Sequence, residues 1–384
     1  MKKVLILTAS TGDGHNRAAD SLVEAFAANS YNAVKFDFLK QSSELWNAFV
    51  VKGYKLLAFN FPRLYGDLYK LSNFKEFNKR IPGILFNSIE EGILAEVRRQ
   101  NPDIIVATHA FAVAVVSKLK KRDLIGMPFV SIITDFKAHD CYIDEAVDAY
   151  VTGSEYTRLN MIRRNVPSYK VYPFGIPIRK DFLCNKEFNK KLPDEYFNVL
   201  LMGGGMGLRF IAPVLKKLTE NERKLRIVVV CGNNKTLKET LDEKYNKKIA
   251  NKEIHILGFT TNIPEIMDEA DVIITKPGGL TVSESIAKRL PMLIPYAIPG
   301  QEKENMTFLI SAGVAADVSE LDNFNYILNN LIENPDKLNE MREKLDKIFK
   351  NYSIKGIVEL SNNLIKNKTG LEYYQSGLMR ASSR

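Results

Sequence analysis

The fold is decided by the stretch Val4-Leu5-Ile6-Leu7-Thr8-Ala9-Ser10-Thr11-Gly12-Asp13-Gly14-His15. Its first five residues form a short aliphatic run that is typical of a buried strand, and the rest form a loop with two glycines. The Ala-rich segment Asn16–Ala28 that follows has helical periodicity. A strand, a loop and a helix in this order predict the start of a βαβ unit.

A second stretch, Asn198-Val199-Leu200-Leu201-Met202-Gly203-Gly204-Gly205-Met206-Gly207, repeats this strand-then-glycine pattern in the second half of the chain. After each start, short aliphatic runs alternate with longer helical patterns. The predicted strands are Val4–Thr8, Ala33–Phe38, Ile104–Thr108, Phe129–Ile133, Ala149–Thr152 and Lys170–Tyr172, then Asn198–Met202, Leu225–Cys231, Ile254–Leu257, Val272–Thr275, Met292–Pro295 and Ala315–Val318. The sequence therefore predicts an α/β protein with two doubly wound parallel sheets.

The domain boundary is predicted after Gly175-Ile176-Pro177, where the polar, Lys-rich stretch Cys184–Asp194 lacks apolar periodicity. We expect an N-terminal domain over residues 1–180 and a second domain over residues 190–345. Residues 346–384 are expected to form a terminal helix and tail. The length of 384 residues agrees with two domains.

The composition is that of a folded globular protein, with 45% hydrophobic and 26% charged residues. The formal charge of +9 comes from 54 Lys and Arg against 45 Asp and Glu, and the excess is spread over both halves. Without a basic tail or arm, we expect no nucleic-acid partner. The three cysteines, Cys141, Cys184 and Cys231, lie far apart, which favours a reducing compartment and argues against structural zinc.

The apolar runs of the chain are short. Val4–Leu7 is too short for the apolar core of a signal peptide, and Phe111–Val116 is far below the roughly 20 residues that span a bilayer. We therefore expect no export signal and no membrane span. The expected location is cytoplasmic.

One segment, residues 41–86, interrupts the α/β alternation. It carries ten aromatic and seven basic residues against three acidic ones. Aromatic side chains interleaved with Lys and Arg are typical of a surface that binds anionic lipid. The same segment could instead be aromatic core that covers the first sheet.

Histidine and aspartate side chains follow three strands of the first half. His15 lies at the start of the first helix, His109 follows the third strand, and Thr134-Asp135-Phe136-Lys137-Ala138-His139 follows the fourth. A carboxylate and an imidazole at one rim could share acid–base work near neutral pH. The alternative for the His15 loop is a tight turn with an exposed histidine. His255 lies inside a predicted strand and is assigned a structural role.

The stretch Gly12-Asp13-Gly14-His15-Asn16-Arg17 begins like the dinucleotide-binding fingerprint G-x-G-x-x-G. Asp37 follows about 20 residues later, where that fingerprint has an acidic residue. Arg17 stands where the third glycine is needed for close helix–strand packing. The pattern therefore disfavours a nicotinamide or flavin cofactor.

Two glycine-rich loops in the second half are typical of anion sites. Gly203–Gly207 follows a strand without the Lys-Ser/Thr of a Walker A loop, and Lys276-Pro277-Gly278-Gly279 opens a helix whose first amides could bind a phosphate. The alternatives are a flexible turn for the first loop and a capping box, formed by Thr281 and Glu284, for the second.

Polar side chains also follow the fifth strand of the second half, in Pro299-Gly300-Gln301-Glu302-Lys303-Glu304-Asn305. Fixed amide and carboxylate groups of this kind hold sugar hydroxyls, although the same residues could begin a solvated helix. No DxD sequence occurs in the chain. Helix N-termini and glycine amides, rather than a metal, would therefore neutralise a leaving diphosphate.

Taken together, these motifs resemble the monogalactosyldiacylglycerol synthase family, which includes the bacterial processive diacylglycerol β-glucosyltransferases of glycosyltransferase family 28. They occur in the family order from residue 4 to about residue 320. The motifs are Gly12-Asp13-Gly14-His15, Thr134-Asp135-Phe136…His139, Gly175-Ile176-Pro177, Gly203–Gly207, Lys276-Pro277-Gly278-Gly279…Ser283-Glu284 and Pro299-Gly300-Gln301-Glu302…Asn305. The chain departs from the family pattern in Asp13, where many relatives carry glycine, and in Tyr142, where tryptophan is frequent.

The resemblance implies a GT-B fold, with two Rossmann-like domains facing a cleft and a C-terminal helix that crosses back. It implies a UDP-sugar as donor, glucose being favoured over galactose, and diacylglycerol at the inner face of the membrane as acceptor. It implies no cofactor and no metal. The donor-binding residues it implies are Gly203, Gly204, Gly205, Gly207, Pro277, Gly278 and Gly279 for the diphosphate, Gly258 and Phe259 for the uracil, Glu284 for the ribose, and Gln301 and Glu302 for the sugar. Thr281 and Asn305 are further donor-binding residues that it implies.

The resemblance further implies an inverting transfer, in one round or processively. His15 is the expected base, with Asp135 and Asp13 as competitors. Enzymes of the same fold that use UDP-N-acetylglucosamine, a transferase with a lipid-linked acceptor or a 2-epimerase, are the alternative. A non-enzymatic lipid- or nucleic-acid-binding protein would leave the glycine-rich loops of the second half unexplained.

Overall fold

The computed structural model describes residues 1–10, 13–41, 83–183, 195–204 and 210–381. The chain divides into two compact units. Unit 1 contains residues 1–177 and 351–384, and unit 2 contains residues 178–350. The C-terminal segment thus belongs to the same unit as the N-terminal half.

Unit 1 is an α/β unit built around six parallel strands. Its helices and strands are β1 (Lys3–Thr8), α1 (Asp13–Ala28), β2 (Asn32–Asp37), α2 (Phe38–Gln41), α3 (Gly83–Gln100), β3 (Ile104–Ala107), α4 (Ala110–Lys121), β4 (Phe129–Ile132), β5 (Ala149–Val151), α5 (Glu155–Ile162), β6 (Val171–Tyr172) and, at the end of the chain, α13 (Ile354–Ala381). The strand order is β2-β1-β3-β4-β5-β6.

Unit 2 repeats this architecture. It contains β7 (Phe197–Met202), α6 (Ile211–Glu220), β8 (Leu225–Val230), α7 (Lys235–Lys244), β9 (Lys252–Leu257), α8 (Ile263–Glu269), β10 (Val272–Ile274), α9 (Gly279–Ala287), β11 (Met292–Ile294), α10 (Gln301–Ser311), β12 (Ala315–Asp317), α11 (Phe324–Glu333) and α12 (Pro335–Phe349). The strand order is β12-β11-β10-β7-β8-β9, and its described pairs are parallel. All twelve predicted strands are confirmed, with ends shifted by at most two residues.

Alternate residues of the unit 1 strands pack on opposite faces of the sheet, because side chains in a strand alternate with period two. Leu5 and Leu7 lie in a buried cluster with Ile93 of α3 and Val113 of α4. On the other face, the neighbouring residues of β1 pack with α1 and with Ile357 of α13. The sheet is therefore covered on both sides, as parallel sheets require.

The last helix, α13, is anchored to unit 1 by polar contacts as well. Asn362 accepts hydrogen bonds from the Lys2 ammonium at 2.7 Å and from the Tyr31 hydroxyl at 2.6 Å. Just before the helix, the Ser353 amide donates to the Phe174 carbonyl at 2.8 Å.

Each sheet has one topological switch point, where neighbouring strands continue toward opposite edges. In unit 1 it lies between β1 and β3, and in unit 2 between β7 and β10. The paired strands end at the same level, since Leu7 pairs with Ala107 and Leu201 with Ile274. Ligands of open α/β sheets bind outside the carboxyl ends of the strands at such points. We call them the first and the second switch point.

Candidate active site

The loop after β1 brings His15 to the first switch point. Helix α1 begins at Asp13, so His15 lies in its first turn, where it is partly exposed. The loop is held by Ser10, whose hydroxyl donates to Asp37 at the end of β2 and accepts from the Asn16 amide at 3.0 Å. Asp37 is thus occupied by protein partners, which removes the carboxylate that a dinucleotide site would need for its ribose.

The protonation of His15 follows from its partners. Its Nδ1 lies 2.7 Å from the backbone carbonyl of Thr108 and 3.2 Å from the hydroxyl of Thr134. Because a carbonyl oxygen can only accept, Nδ1 carries the hydrogen, and Nε2 keeps a free lone pair when the ring is neutral. Burial lowers the pKa of His15, although the bond to Thr108 opposes that shift. His15 is therefore a neutral imidazole near pH 7, which a general base must be.

His109 and His139 have the opposite arrangement. The Nδ1 atom of each accepts a backbone N–H at 3.1 Å, from Phe111 and Cys141 respectively, and caps the start of the following helical turn. When neutral, each of these rings therefore carries its hydrogen on Nε2. His15 alone among the three offers an unprotonated Nε2.

His109 also packs against His15. The ring centroids lie 4.6 Å apart in an edge-to-face arrangement. Burial and, to a smaller extent, the neighbouring His15 hold the pKa of His109 well below its usual range. Two imidazoles this close disfavour the state in which both rings are charged, and burial disfavours the charged form of each.

The remaining acid–base candidates are Asp135 and Asp13. Asp135 is buried, and its negative charge, second to burial, raises the pKa of Tyr142. The Tyr142 hydroxyl lies 3.2 Å from the Thr134 hydroxyl, which extends the network behind His15 by one residue. Asp13 is the first residue of α1, and only its backbone position is described. Of the three predicted bases, His15 has the geometry that fits the role.

The second switch point begins with the glycines after β7. Gly203 is buried, and Gly204 adopts φ +60°, the left-handed region that glycine enters without strain. A Cβ atom at Gly204 would lie 3.6 Å from Cε of Lys276. Gly205 and Gly207, the other two predicted donor residues of this loop, lie outside the described residues.

Helix α9 opens beside these glycines. It begins at Gly279 with Gly278 as its N-cap, and no side chain caps it. Thr281 therefore lies inside the first turn, and the capping-box alternative for Thr281 and Glu284 is wrong. Glu284 is buried and does not cap the helix. The first amides of a helix have no acceptor within it, so the start of α9 can bind an anion.

Helix α10 supplies the third part of the second switch point. Glu302 pairs with the Lys276 ammonium at 2.5 Å and accepts the Ile298 amide at 3.0 Å. Asn305 is fully buried and donates to the Pro277 carbonyl at 3.0 Å, so it fixes the loop before α9. Gln301, in the first turn of α10, is partly exposed. The preceding Gly300 has φ +96°, a conformation that only glycine adopts readily.

Gly258 and Phe259 follow β9 at the edge of the sheet, two strands away from β7. A strand spacing of about 4.8 Å separates the ends of β7 and β9 by about 10 Å. Phe259 is 64% exposed. The two residues are thus available at a distance from the glycine loops, as a base-binding position requires.

Two groups of these sites are not predicted from the sequence. They are the Lys276 ammonium, which precedes a glycine-rich loop, and the Thr108 carbonyl, which belongs to the backbone and so has no residue type that would reveal it. A lysine directly after a strand that adjoins a second glycine loop is the pattern that could have revealed Lys276.

The aromatic and basic segment, residues 41–86, lies outside the described residues except at its two ends. Within the described parts of the chain, no helix combines the length and apolar character that crossing a bilayer requires. In the same parts, no three His, Cys, Asp or Glu side chains form a group that could hold a metal ion.

Solved structures share this two-unit architecture. MurG of Acinetobacter baumannii superposes with a TM-score of 0.67 at 17% identity, over 94% of this chain and all of that one. A UDP-GlcNAc 2-epimerase of Neisseria meningitidis superposes with a TM-score of 0.57 at 15% identity, over 95% and 100% of the two chains. At these identities the likeness concerns the fold alone.

Two parallel six-stranded sheets with a polar site at each switch point define a protein of the GT-B fold class. The family models then cover both units: the monogalactosyldiacylglycerol (MGDG) synthase model matches residues 15–178, and the glycosyltransferase family 28 C-terminal domain matches residues 198–360. The processive diacylglycerol β-glucosyltransferase of Bacillus cytotoxicus is 30% identical over 366 residues, 93% of this chain and 92% of its own length. That of Bacillus pumilus is 28% identical over 377 residues, 96% and 97% of the two chains. The chain belongs to this family of glycosyltransferases, as the sequence motifs predicted.

Proposed function

We propose that this chain transfers glucose from UDP-glucose to the hydroxyl group of diacylglycerol, with inversion, and makes a β-glycosyl glycolipid. The near end-to-end match to relatives named processive diacylglycerol β-glucosyltransferase supports the reaction, the sugar and repeated addition. The observation in the structure that carries the chemistry is the tautomer of His15, whose Nδ1–H donates to the Thr108 carbonyl.

In the proposed reaction, Nε2 of His15 takes the proton of the acceptor hydroxyl as the oxygen attacks the anomeric carbon. The new carbon–oxygen bond forms on the face opposite the leaving group, and the bond from the anomeric carbon to the diphosphate oxygen breaks. UDP leaves with the electron pair, and the negative charge that develops on it must be stabilised. Helix α9 and the glycines after β7 would supply that stabilisation in place of a metal.

The donor would lie along the carboxyl ends of the unit 2 strands. We assign the diphosphate to Gly203, Gly204 and the start of α9, the uracil to the main chain of Gly258 and Phe259, and the ribose to Glu284. Gln301 would contact the sugar. Glu302 is buried and hydrogen-bonded to Lys276 and Ile298, and Asn305 is buried and hydrogen-bonded to Pro277. We therefore expect these two residues to position the site rather than to contact the sugar.

The reaction is tested by offering labelled UDP-glucose and labelled UDP-galactose separately, with diacylglycerol in anionic liposomes, and resolving the lipid phase. We expect label in a glucolipid, and the same product in EDTA with a modest loss of rate. Failure to label lipid from either donor would contradict the proposal. Conversion of UDP-N-acetylglucosamine without lipid would favour the 2-epimerase alternative.

We further propose that residues 41–86 attach the protein to the inner face of the cell membrane. The proposal is supported by the sequence of that segment, because each basic residue near an anionic surface contributes about 1 kcal/mol of attraction and aromatic residues insert at the headgroup boundary. Replacing Lys52, Lys55 and Arg63 by Glu should release the protein from anionic vesicles and leave UDP binding unchanged. Attachment should also weaken with salt, since exposed charges are screened over about 10 Å at 0.1 M. Cosedimentation of the triple variant with vesicles, equal to that of the parent, would instead favour aromatic core.

A further inference from the structure

The side chain of Lys276 is buried at the second switch point. It follows β10 directly, and its side chain is 9% exposed. Gly204 follows the neighbouring strand β7. A Cβ atom added to Gly204 would be in van der Waals contact with Cε of Lys276. The ammonium therefore lies where the two glycine-rich loops of unit 2 meet.

The Lys276 ammonium has one hydrogen-bond partner in the described parts of the chain. An ammonium has three N–H donors, and among the residues that the structure describes only the Glu302 carboxylate accepts one from Lys276. Buried polar groups are almost always fully hydrogen-bonded, because an unpaired donor loses its hydration without compensation.

Lys252, at the start of β9, is a second buried lysine of unit 2, and its hydrogen bonds are those of a purely structural residue. As whole residues, Lys252 and Lys276 are both 8% exposed. The Lys252 ammonium donates to three backbone carbonyls, those of Asn221 at 2.6 Å, Arg223 at 2.9 Å and Asn251 at 3.4 Å. Lys252 has used all three donors, whereas two N–H groups of Lys276 have no acceptor among the described residues, at a place where a ligand is expected.

Glu302 is fixed independently of Lys276, because its second oxygen accepts the Ile298 amide at 3.0 Å. A carboxylate held in this way can orient the ammonium in the absence of a substrate. It also supplies the counter-charge without which burying the ammonium would be costly.

We propose that Lys276 binds the diphosphate of the donor through its two remaining N–H groups and that Glu302 positions it, an inference that rests on the function proposed above. Charged hydrogen bonds to phosphate oxygens are stronger than neutral ones. Lys276 also lies beside the N-terminus of α9, so the ammonium and the helix amides would act on one group. As the sugar departs, charge accumulates on the diphosphate, and Lys276 would stabilise that charge as well.

The test measures the affinity of UDP, UMP and uridine by titration calorimetry for the parent, for Lys276→Met and for Lys276→Met with Glu302→Gln. The double variant removes both charges, so it leaves no unpaired carboxylate that would unfold the unit. We expect UDP affinity to fall about 10- to 100-fold, UMP affinity less, and uridine affinity not at all.

A matched control is Lys288→Met with Asp268→Asn, which removes another buried ion pair in unit 2. The Lys288 side chain is 1% exposed, and its ammonium lies 2.8 Å from Asp268 at the opposite end of α9. We expect this control to lose stability and to keep the preference for UDP over UMP.

An equal loss of affinity for all three ligands in the Lys276 variants, or an unchanged UDP affinity, would overturn the role of Lys276 and leave the proposed function standing. The same loss of UDP preference in the control variant would also overturn the role of Lys276, since the effect would then result from a general destabilisation of unit 2. A parent protein that binds no UDP would overturn the donor assignment and the role of Lys276 together.

Discussion

The two switch points have the same place in their sheets and opposite chemistry. At the first, between β1 and β3, the groups are neutral: the imidazoles of His15 and His109 and the hydroxyls of Thr134 and Tyr142. At the second, between β7 and β10, a paired ammonium and carboxylate lie beside Gly204 and Gly278. We therefore propose a proton acceptor in one unit and an anion site in the other, because function depends on the side chains grafted on the fold.

Burial explains why the two sites differ in charge. At the first switch point no counter-ion touches the imidazoles in the described contacts, so burial disfavours their protonated forms and lowers the pKa of both. At the second, Glu302 lies next to Lys276, and a charge that is paired can be buried at much smaller cost. The comparison predicts that substitutions at the two sites affect different steps.

The largest effect is expected for His15→Ala. Loss of general-base assistance should lower kcat by about 10²- to 10⁴-fold, whereas UDP affinity should be nearly unchanged. The measurement is turnover at saturating UDP-sugar and lipid, together with UDP titration. His255→Ala, which removes an exposed imidazole on β9, is the control and should retain the parent turnover. Near-normal turnover of the His15 variant would transfer the base role to Asp135 or Asp13.

A smaller effect is expected for Glu284→Gln. Weakening a charged hydrogen bond to the ribose costs about 1.5–3 kcal/mol, which corresponds to a 10- to 100-fold loss of UDP affinity. Because α9 is capped by Gly278 and not by this pair, the effect should fall on ligand binding rather than on helix formation. UDP titration and thermal unfolding distinguish the two. A lower Tm with unchanged UDP affinity would assign Glu284 a purely structural part.

The smallest effect is expected for Thr134→Val, which removes the second acceptor near Nδ1 of His15. One lost hydrogen bond of about 0.5–1.5 kcal/mol lowers kcat about 2- to 10-fold. The pH profile gives the sharper readout. His15 must be unprotonated to act and its pKa is lowered, so the parent should keep full activity at neutral pH and lose it as pH falls through a value below 6.5.

Removing the Thr134 hydroxyl disfavours the charged imidazole further, so the acid limb of the variant should move to lower pH. Thr134→Ser should restore the parent profile. If kcat falls equally at every pH and the serine variant does not recover, Thr134 has no part in positioning His15.

Much of the fold could be predicted from the sequence, because local signals specify it. Short runs of three to seven residues, most of them rich in aliphatic side chains, mark the strands, and glycines mark the loops that follow β1, β7 and β10. Strand order could not be read in this way. That β3 lies beside β1, and β10 beside β7, depends on packing between segments far apart in the chain.

The candidate sites show the same limit. The sequence pointed to His15, but its tautomer depends on the Thr108 carbonyl, 93 residues away. The Lys276–Glu302 pair joins the loop after β10 to the first turn of α10, and the two residues are 26 positions apart. The local capping-box pattern of Thr281 and Glu284 is wrong, because the N-cap of α9 is Gly278, three residues before Thr281.

The central claim is that the first switch point removes the proton and the second binds the donor. It is tested most directly by titrating UDP into the parent, into His15→Ala and into Lys276→Met with Glu302→Gln under one set of conditions. We expect the His15 variant to bind UDP as the parent does, and the double variant to bind it about 10- to 100-fold more weakly. A His15 variant that loses UDP affinity as strongly as the double variant would contradict the division of labour between the two switch points.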